Sequence, residues 1–315
     1  MTGLAAIFRK ELADHFNSKR FIILFLLVYL AAIATTYVAA QNIRSGITES
    51  TQFIFLRLFI VSGTTLPFSF PLFLSLFIPI VGIALGFDAV SGERSGGTLS
   101  RLLAQPVYRD AVINGKFLAG LATLSVLVIS IVILVAGMGL RMIGIPPNAE
   151  EILRIFGLIF VSIIYGAFWM SLAVLFSVFF NRTATSALAS IAVWIFLLLF
   201  MSMIARLIAG AVIPIDDSST AAQIINFEEI YRMISRISPN VLYSEAFAVL
   251  MTPELGTLSV MLLQESISSG MIPTPLPLSQ SLSVIWPQIT GLIALAALCF
   301  AASYIKFMHE EIRAT

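Results

Sequence analysis

Six long apolar stretches separated by polar segments dominate this chain. Each is about 20 residues or longer, the length that an α-helix needs to cross a hydrocarbon core of ~30 Å. A helix that is apolar on every side, and not only along one stripe, is typical of a membrane span. The pattern therefore predicts six transmembrane helices, over residues 21–40, 67–87, 117–140, 155–180, 186–213 and 283–305.

Composition agrees with this interpretation and excludes some functions. Hydrophobic residues make up 59% of the 315 residues and charged residues only 11%, which is typical of a polytopic membrane protein. The net charge of +1 gives no indication of nucleic-acid binding. The single cysteine, Cys299, excludes a disulfide framework within the chain. We therefore expect an all-α membrane protein.

Lysine and arginine are distributed unevenly between the two sets of loops. Eleven lie in the N-terminal segment, the loops after the second and fourth stretches and the C-terminal tail, against six in the opposite loops. The positive-inside rule then predicts a multi-pass protein of the cell membrane with both termini in the cytoplasm. Arg206 is the exception inside a stretch, and its side chain either reaches the headgroups or faces a cavity.

The chain divides into four predicted parts. A cytoplasmic interfacial helix, its apolar face in the acyl boundary, precedes the first five spans, an extracytoplasmic helical segment follows them, and the sixth span leads to a cytoplasmic tail. These parts are 1–20, 21–213 with a cytoplasmic loop at 88–116, 214–282 and 283–315.

The loop at 88–116 is the first candidate for function. A glycine pair at 96–97 interrupts the helix that continues from the second span, and a short apolar stripe follows at helical spacing, formed by Leu99, Leu102 and Leu103. The loop predicts a short amphipathic helix lying across the membrane face. It is not a phosphate-binding loop, because no Gly-Lys-Ser/Thr ending is present.

The segment at 214–282 is too long to be a simple connecting loop between two spans. An amphipathic pattern predicts a helix around residues 227–234, and further helices are predicted at 241–251 and 255–268, before a stiff proline-rich linker. The segment forms either a lid over the outer mouth or a docking surface for an extracytoplasmic protein.

The loop also carries a family pattern. Residues 91–109 read Ser-Gly-Glu-Arg-x-x-Gly-Thr-Leu-x-x-Leu-Leu-x-x-Pro-Val-x-Arg, followed at 115–120 by Gly-Lys-Phe-Leu-x-Gly. This closely resembles the first cytoplasmic loop of ABC-2-type permeases, the membrane subunits of ATP-driven exporters. The segments at 8–12 and 230–240 resemble the same family, the latter a branch that includes the permease of nitrous-oxide-reductase maturation.

The resemblance implies a permease that pairs with a second copy or a paralogue and with two ATP-binding subunits, which hold ATP and Mg²⁺. This chain is expected to need no cofactor and to be no enzyme, and its loop is expected to carry the coupling helix. Leucines would seat that helix in the ATPase, and charges would set its register, although Glu93 and Arg94 also fit a solvated ion pair of little energetic value. The residues assigned to coupling are Glu93, Arg94, Leu99, Arg101, Leu102 and Leu103.

The expected function is export of a hydrophobic or amphipathic substrate between two permeases. The path would be lined by the second and fifth spans, with Ser190, Ser202 and Arg206 as candidate path or gate residues. The alternative is an assembly subunit that transports nothing and relays ATP-driven motion to an extracytoplasmic protein. An intramembrane enzyme is disfavoured because no nucleophile–base pair is present, and the two histidines have no metal-ligand spacing.

Overall fold

A computed structural model describes residues 3–46, 53–60, 69–98, 107–215, 219–252 and 277–309. These parts of the chain are helical and connected by short turns, without a strand in the ranges described. Their twelve helices are α1 Gly3–Asn17, α2 Lys19–Gly46, α3 Ile54–Arg57, α4 Phe70–Gly86, α5 Ser91–Ser95, α6 Arg109–Ile143, α7 Ala149–Phe179, α8 Thr183–Leu199, α9 Met201–Val212, α10 Ala221–Ser235, α11 Pro239–Met251 and α12 Leu278–His309.

Four of the described helices, α2, α6, α7 and α12, are long and apolar enough to cross a membrane. Helices α8 and α9 make a fifth candidate span if the pair counts as one, although it bends by 43° at their junction. Helix α4 is apolar but only 17 residues long. The chain is thus a polytopic helical membrane protein with four or five candidate spans, and a count of six stays a prediction.

The bundle has two distinct ends. One holds α1, α5, the beginning of α6 and the last turns of α7 and α12, where Ile7, Val112, Val178 and Phe307 share one buried cluster. We call this the α5 end. The opposite end, the α3 end, holds α3, the beginning of α7, the end of α11 and the beginning of α12. The charge distribution predicts that the α5 end is the cytoplasmic one.

Helices α4 and α7 pack backbone against backbone. A Cβ atom added to Gly82 would lie 2.7 Å from the carbonyl oxygen of Gly166, and one added to Gly86 would lie 2.6 Å from that of Met170. Glycines four residues apart allow such close approach between membrane helices. This seam holds α4, and therefore the loop that follows it, against the most buried helix of the bundle.

Helix α1 lies where the sequence predicts an interfacial helix, but part of its apolar face contacts protein. Ile7 is buried, and a Cβ added to Gly115 of α6 would lie 2.8 Å from its side chain. Phe16, at the other end of the same face, is exposed. Ile7 therefore packs on α6 beside Gly115, and a position of the rest of the apolar face in the acyl boundary stays a prediction.

The segment after α9 folds back into the bundle. Helix α10 covers the residues of the predicted amphipathic helix, and α11 covers those of the helix predicted at 241–251. Ser238 donates a hydrogen bond to the carbonyl oxygen of Leu197, and Tyr165, near the middle of α7, donates one to Asn240. Helix α11 therefore begins deep in the bundle and runs outward. The helix predicted at 255–268 and most of the proline-rich linker lie outside the described residues.

Two boundaries differ from the sequence prediction. Helix α12 begins at Leu278, five residues before the predicted span, because polar serines in its first turns are compatible with a helix that extends beyond the apolar stretch. Helix α6 begins at Arg109, eight residues before the predicted span, with Tyr108 as its N-cap.

Candidate coupling site at the α5 end

Helix α5 is held by the last turns of α7. The hydroxyl of Ser177 accepts hydrogen bonds from the backbone N–H groups of Val90 and Ser91, at 2.9 and 3.0 Å. The first N–H groups of a helix have no partner within it, and a side-chain oxygen supplied by another helix satisfies them. Ser177 is fully buried, so these two bonds fix the beginning of α5 to α7.

Arg94 attaches the other side of α5 to the turn between α7 and α8. Its Nη1 donates to Oδ1 of Asn181 at 2.6 Å and to the carbonyl oxygen of Val178 at 3.4 Å. A guanidinium keeps its charge at any physiological pH, so this contact does not depend on protonation. The family resemblance predicts that Arg94 contacts the ATPase; in this structure it binds Asn181 and Val178 of its own chain.

Glu93 joins α5 to α1 and α6 through a network of charges. Lys116 of α6 lies 3.3 Å from Oε1 of Glu93 and 2.7 Å from Oε1 of Glu11. Lys10 lies 3.2 Å from Glu11 and 3.8 Å from Glu93. The hydroxyl of Thr98 also donates to the Glu93 carboxylate. Three elements thus converge on one ammonium group whose side chain is only 8% exposed.

The network favours the charged forms of its members. Burial tends to raise the pKa of Glu11, but the charges and hydrogen bonds of Lys116 and Lys10 together outweigh it and lower that pKa below 4.5. Burial acts the same way on Glu93, and its hydrogen bond from Thr98 and the nearby Lys116 lower its pKa as well. Both carboxylates therefore remain ionised at neutral pH, and the network is intact there.

A cavity of about 330 Å³ lies beside this network. Its walls come from α1, α5, α7, the end of α4 and the beginnings of α2 and α6. They include His15, whose Nδ1 lies 3.2 Å from the hydroxyl of Thr123. Arg20 closes one side by pairing with Asp88 at 3.0 Å. Acidic and basic side chains line the cavity together. In the described ranges no group of three or more His, Cys, Asp or Glu is placed to hold a metal ion.

We call this set of contacts around α5 the bracket, because it holds the helix mechanically. The described residues that form it perform no evident chemistry of their own. Helix α5 is fixed to α7 through Ser177 and to the α7–α8 turn through Arg94, while Glu93 joins it to α1 and α6. A force applied to the residues that follow α5 would therefore reach α1, α6, α7 and the turn before α8. The chain also turns sharply directly after α5, at Gly97, whose φ of 66° lies in the left-handed region that favours glycine.

The family of the chain follows from comparison with known proteins. A model of the ABC-2 family transporter protein matches residues 5–312. This chain is a member of the ABC-2 family. Two relatives, each described as a probable ABC transporter permease protein NosY, support the assignment. The one from Pseudomonas aeruginosa is 26% identical over 201 residues, 62% of this chain and 67% of the relative. The one from Stutzerimonas stutzeri is 26% identical over 243 residues, 73% of this chain and 79% of the relative.

Membership makes the chain the membrane subunit of an ABC transporter. Subunits of this kind work in general with separate ATP-binding subunits, and they are generally not catalytic themselves. The family match confirms the resemblance read from the loop at 88–116. Of the coupling residues predicted for this ABC-2 permease, Glu93 and Arg94 are described above. The other four, Leu99, Arg101, Leu102 and Leu103, lie outside the described residues.

The predicted path residues of the permease do not form a cluster of their own. Ser190 is fully buried and donates to the carbonyl oxygen of Ser186, one turn earlier in α8. Ser202 and Arg206 lie in α9, beyond the bend, and the guanidinium of Arg206 lies 5.7 Å from the ring centre of Tyr231 in α10. Arg206 is exposed, so both interpretations offered for it remain open.

Sequence reasoning missed the polar cluster at the α3 end of the permease. It counted Arg154 among the loop charges, but the residue lies in α7 with a fully buried side chain. Glu151 is also buried. Asn148 and Glu151 form a capping box, and this spacing before an apolar run is readable in sequence. The burial of Arg154 is not, because its partners Leu250 and Ser281 are far away in the chain.

Proposed function

We propose that this permease is the membrane subunit of an ATP-driven exporter, with α5 and the residues after it as the coupling element. Two ATP-binding subunits holding ATP and Mg²⁺ bind at the α5 end, which is cytoplasmic together with both termini, and the complex lies in the cell membrane. A second copy or a paralogue completes the membrane part. The chain itself binds no cofactor and hydrolyses nothing.

The bracket around α5 is the observation that supports this proposal most. A coupling element must be stiff, because a compliant loop would absorb motion that starts in the ATPase. Ser177, Arg94 and Glu93 bind α5 to different neighbours, and Ser177 and Lys116 do so from buried positions. The leucines at 99, 102 and 103 follow this fixed support in the sequence, and their proposed role is to seat in the ATPase.

The translocation path is proposed to run between two permeases along α4 and the bent pair α8–α9. The exposed side chains of α8 and α9 are mainly large and apolar, and Arg206 is the charged exception in this pair. A hydrophobic or amphipathic substrate suits such a surface. Ser202 and Arg206 remain candidate gate residues. The buried Ser190 would reach the path only after a movement of α8.

The coupling proposal is tested by purifying the permease with its ATP-binding subunits in nanodiscs. Glu93→Gln removes the charge that binds Lys116, and Leu102→Asp places a charge on a seated leucine at a cost of several kcal/mol unless it is paired. Both variants should insert normally yet bind less ATPase or lose substrate-stimulated hydrolysis, Leu102→Asp more severely. Glu228→Gln, at an exposed carboxylate of α10, is the matched control. Normal assembly and transport in both variants would show that this loop is not the coupling element.

The orientation is tested by single cysteines at Ser95 and Ile225, after replacement of Cys299 with alanine. Both positions are exposed and lie on opposite sides of the predicted membrane. A membrane-impermeant maleimide should label residue 225 from outside sealed cells and residue 95 only after permeabilisation. Labelling of both from the same side would exclude the six-span topology.

A second function, relay of ATP-driven motion to an extracytoplasmic protein without transport, is supported by the structure of the α3 end. Helices α10 and α11 fold back deep into the bundle, so a protein bound to the segment at 214–282 would be connected to the core. Pull-down of a secreted partner with the permease would favour this function. Substrate-stimulated ATPase activity in liposomes would favour export.

A further inference from the structure

Helix α7 makes buried polar contacts at both ends of the bundle. We propose that α7 carries motion from the coupling element to the α3 end, and that its positioning residues are Ser177 at one end and Glu151 and Arg154 at the other. The proposal deepens the proposed function and rests on it, since it takes ATP-driven motion of α5 as its starting point. It assigns a role to Glu151 and Arg154, two buried charged residues that the coupling site does not use.

Arg154 connects three segments at the α3 end. Its Nη1 donates to the carbonyl oxygen of Leu250 at 3.1 Å and to the hydroxyl of Ser281 at 3.2 Å. Leu250 is near the end of α11 and Ser281 is in the first turn of α12, so one guanidinium joins both to α7. Its Nη2 pairs with Glu150 at 2.7 Å. A planar guanidinium suits this task because it directs several donors in fixed directions.

Glu151 connects α7 to α3. Its Oε1 accepts hydrogen bonds from the backbone N–H groups of Phe55 and Leu56, at 3.1 and 3.4 Å. Its Oε2 accepts from the backbone N–H of Asn148, at 2.8 Å. The buried carboxylate thus satisfies the first N–H groups of two helices at once. Helix α3 therefore follows any displacement of the first turn of α7.

The backbone of Phe53, directly before α3, is held in a strained conformation. Its φ of 54° places it in the left-handed region, which is an outlier for a bulky residue. Its ring lies 5.8 Å from the guanidinium carbon of Arg154. A strained backbone persists only where its surroundings over-determine it, and such positions cluster at functional sites.

The same helix is bound to the coupling element at its other end. Ser177 accepts the two N–H groups that begin α5, and the glycine seam holds α4 against Gly166 and Met170. From Glu151 to Ser177 the helix spans roughly 39 Å at ~1.5 Å per residue. A continuous α-helix that is largely buried transmits a displacement along its length, because close-packed interiors have low compressibility. Displacement of α5 is therefore transmitted to the segments that Glu151 and Arg154 hold.

The test measures amide hydrogen exchange in the nanodisc complex with and without a non-hydrolysable ATP analogue. In the parent protein the analogue should change exchange at α5 and also at residues 247–252 and 278–283. Ser281→Ala should keep the change at α5 and reduce the change at the α3 end at least twofold. Ser283→Ala is the matched control, since this exposed serine of α12 bonds only to the backbone of Ser279. Arg154→Lys is a second variant, which keeps the positive charge but loses the planar guanidinium that donates to both Leu250 and Ser281.

Ser177→Ala tests the other end of α7. It should also reduce the change at the α3 end at least twofold, whereas Ser171→Ala, a buried serine bonded within α7 to Ala167, should not. A parent protein that responds at α5 but not at the α3 end overturns the inference. So does a full response at the α3 end in both Ser177→Ala and Ser281→Ala. A parent complex without any response at α5 contradicts the proposed function itself, and the inference with it.

Discussion

At the α5 end, Lys116 shares its charge between Glu11 and Glu93, and Lys10 offers both carboxylates a second partner beside a cavity. At the α3 end, Arg154 is fully buried, and its donors go to fixed acceptors. The ion pairs at the α5 end can exchange partners at low cost while Ser177 and Arg94 hold α5 in place, whereas the contacts of Arg154 lose hydrogen bonds if any member moves. A transporter needs both arrangements. The end that binds a partner must adjust to it, and the opposite end must move together with the helix that connects them.

Removing the central cation at each end should separate the two arrangements most clearly. Arg154→Met leaves buried acceptors without a donor and should lower the free energy of unfolding by about 3–5 kcal/mol. Lys116→Met should cost only about 1–3 kcal/mol, because Lys10 remains near both carboxylates. Thermal unfolding of both variants in one detergent provides the measurement. Equal losses would mean that the network at the α5 end is as rigid as the one at the α3 end.

Glycines facing α7 or belonging to it give a second, smaller contrast. In Gly86→Ala the new methyl group would lie 2.6 Å from the carbonyl oxygen of Met170. Because a backbone atom cannot move aside easily, the free energy of unfolding should fall by about 1–3 kcal/mol. In Gly157→Ala, near the α3 end, the nearest atom is the end of the Leu250 side chain at 3.2 Å, so a smaller loss should result. Gly137→Ala, with open space around it, is the control and should be neutral. The readout is again thermal unfolding.

Acidification should weaken the docking of α1 at the α5 end. We expect this effect to be smaller than those of the cation and glycine substitutions. Burial lowers the pKa of His15 below 6.5, against the opposing influence of Glu11, Asp88 and Asp14. An undocked His15 therefore binds a proton more readily than the docked one, so docking of α1 weakens as the pH falls below 6.5. Glu11 and Glu93 have lowered pKa values, and their contribution is lost only below about 4.5.

Hydrogen exchange of α1 at pH 7.5 and 5.5, corrected for the intrinsic rate, checks this expectation. Protection should be lower at pH 5.5 in the parent protein. His15→Gln should remove the difference, whereas His309→Gln, at the exposed histidine near the end of α12, should retain it. A pH dependence that survives in His15→Gln would assign the effect to another group.

The membrane class and the family were predictable from local sequence. Apolar stretches of about 20 residues predict spans because lipid leaves a backbone no partner other than its own helix. The loop at 88–116 was recognisable because its glycines, leucines and charges follow one another closely. The helix around 227–234 was predictable because its apolar face repeats at helical spacing, and α10 has that face turned inward.

The partners of the charged residues were not predictable, because they depend on contacts between distant parts of the chain. The sequence predicts that Glu93 and Arg94 either pair with the ATPase or form a solvated ion pair, yet they lie against Lys116 and Asn181. Arg154 was counted as a loop charge, although Leu250 and Ser281, about 100 or more positions away, enclose it. No local pattern marks a charge that folding will bury.

The sequence by itself determined the solvent of this protein, its helical class and its family, since each depends on residue type and on spacing over short distances. The tertiary structure alone decided that α11 begins deep in the bundle, that Ser177 supplies the cap of α5, and that Arg154 holds two helices together. The physical reason is the burial of polar groups. Once the apolar faces have packed, every buried donor and acceptor must find a partner among whatever residues the packing has brought near.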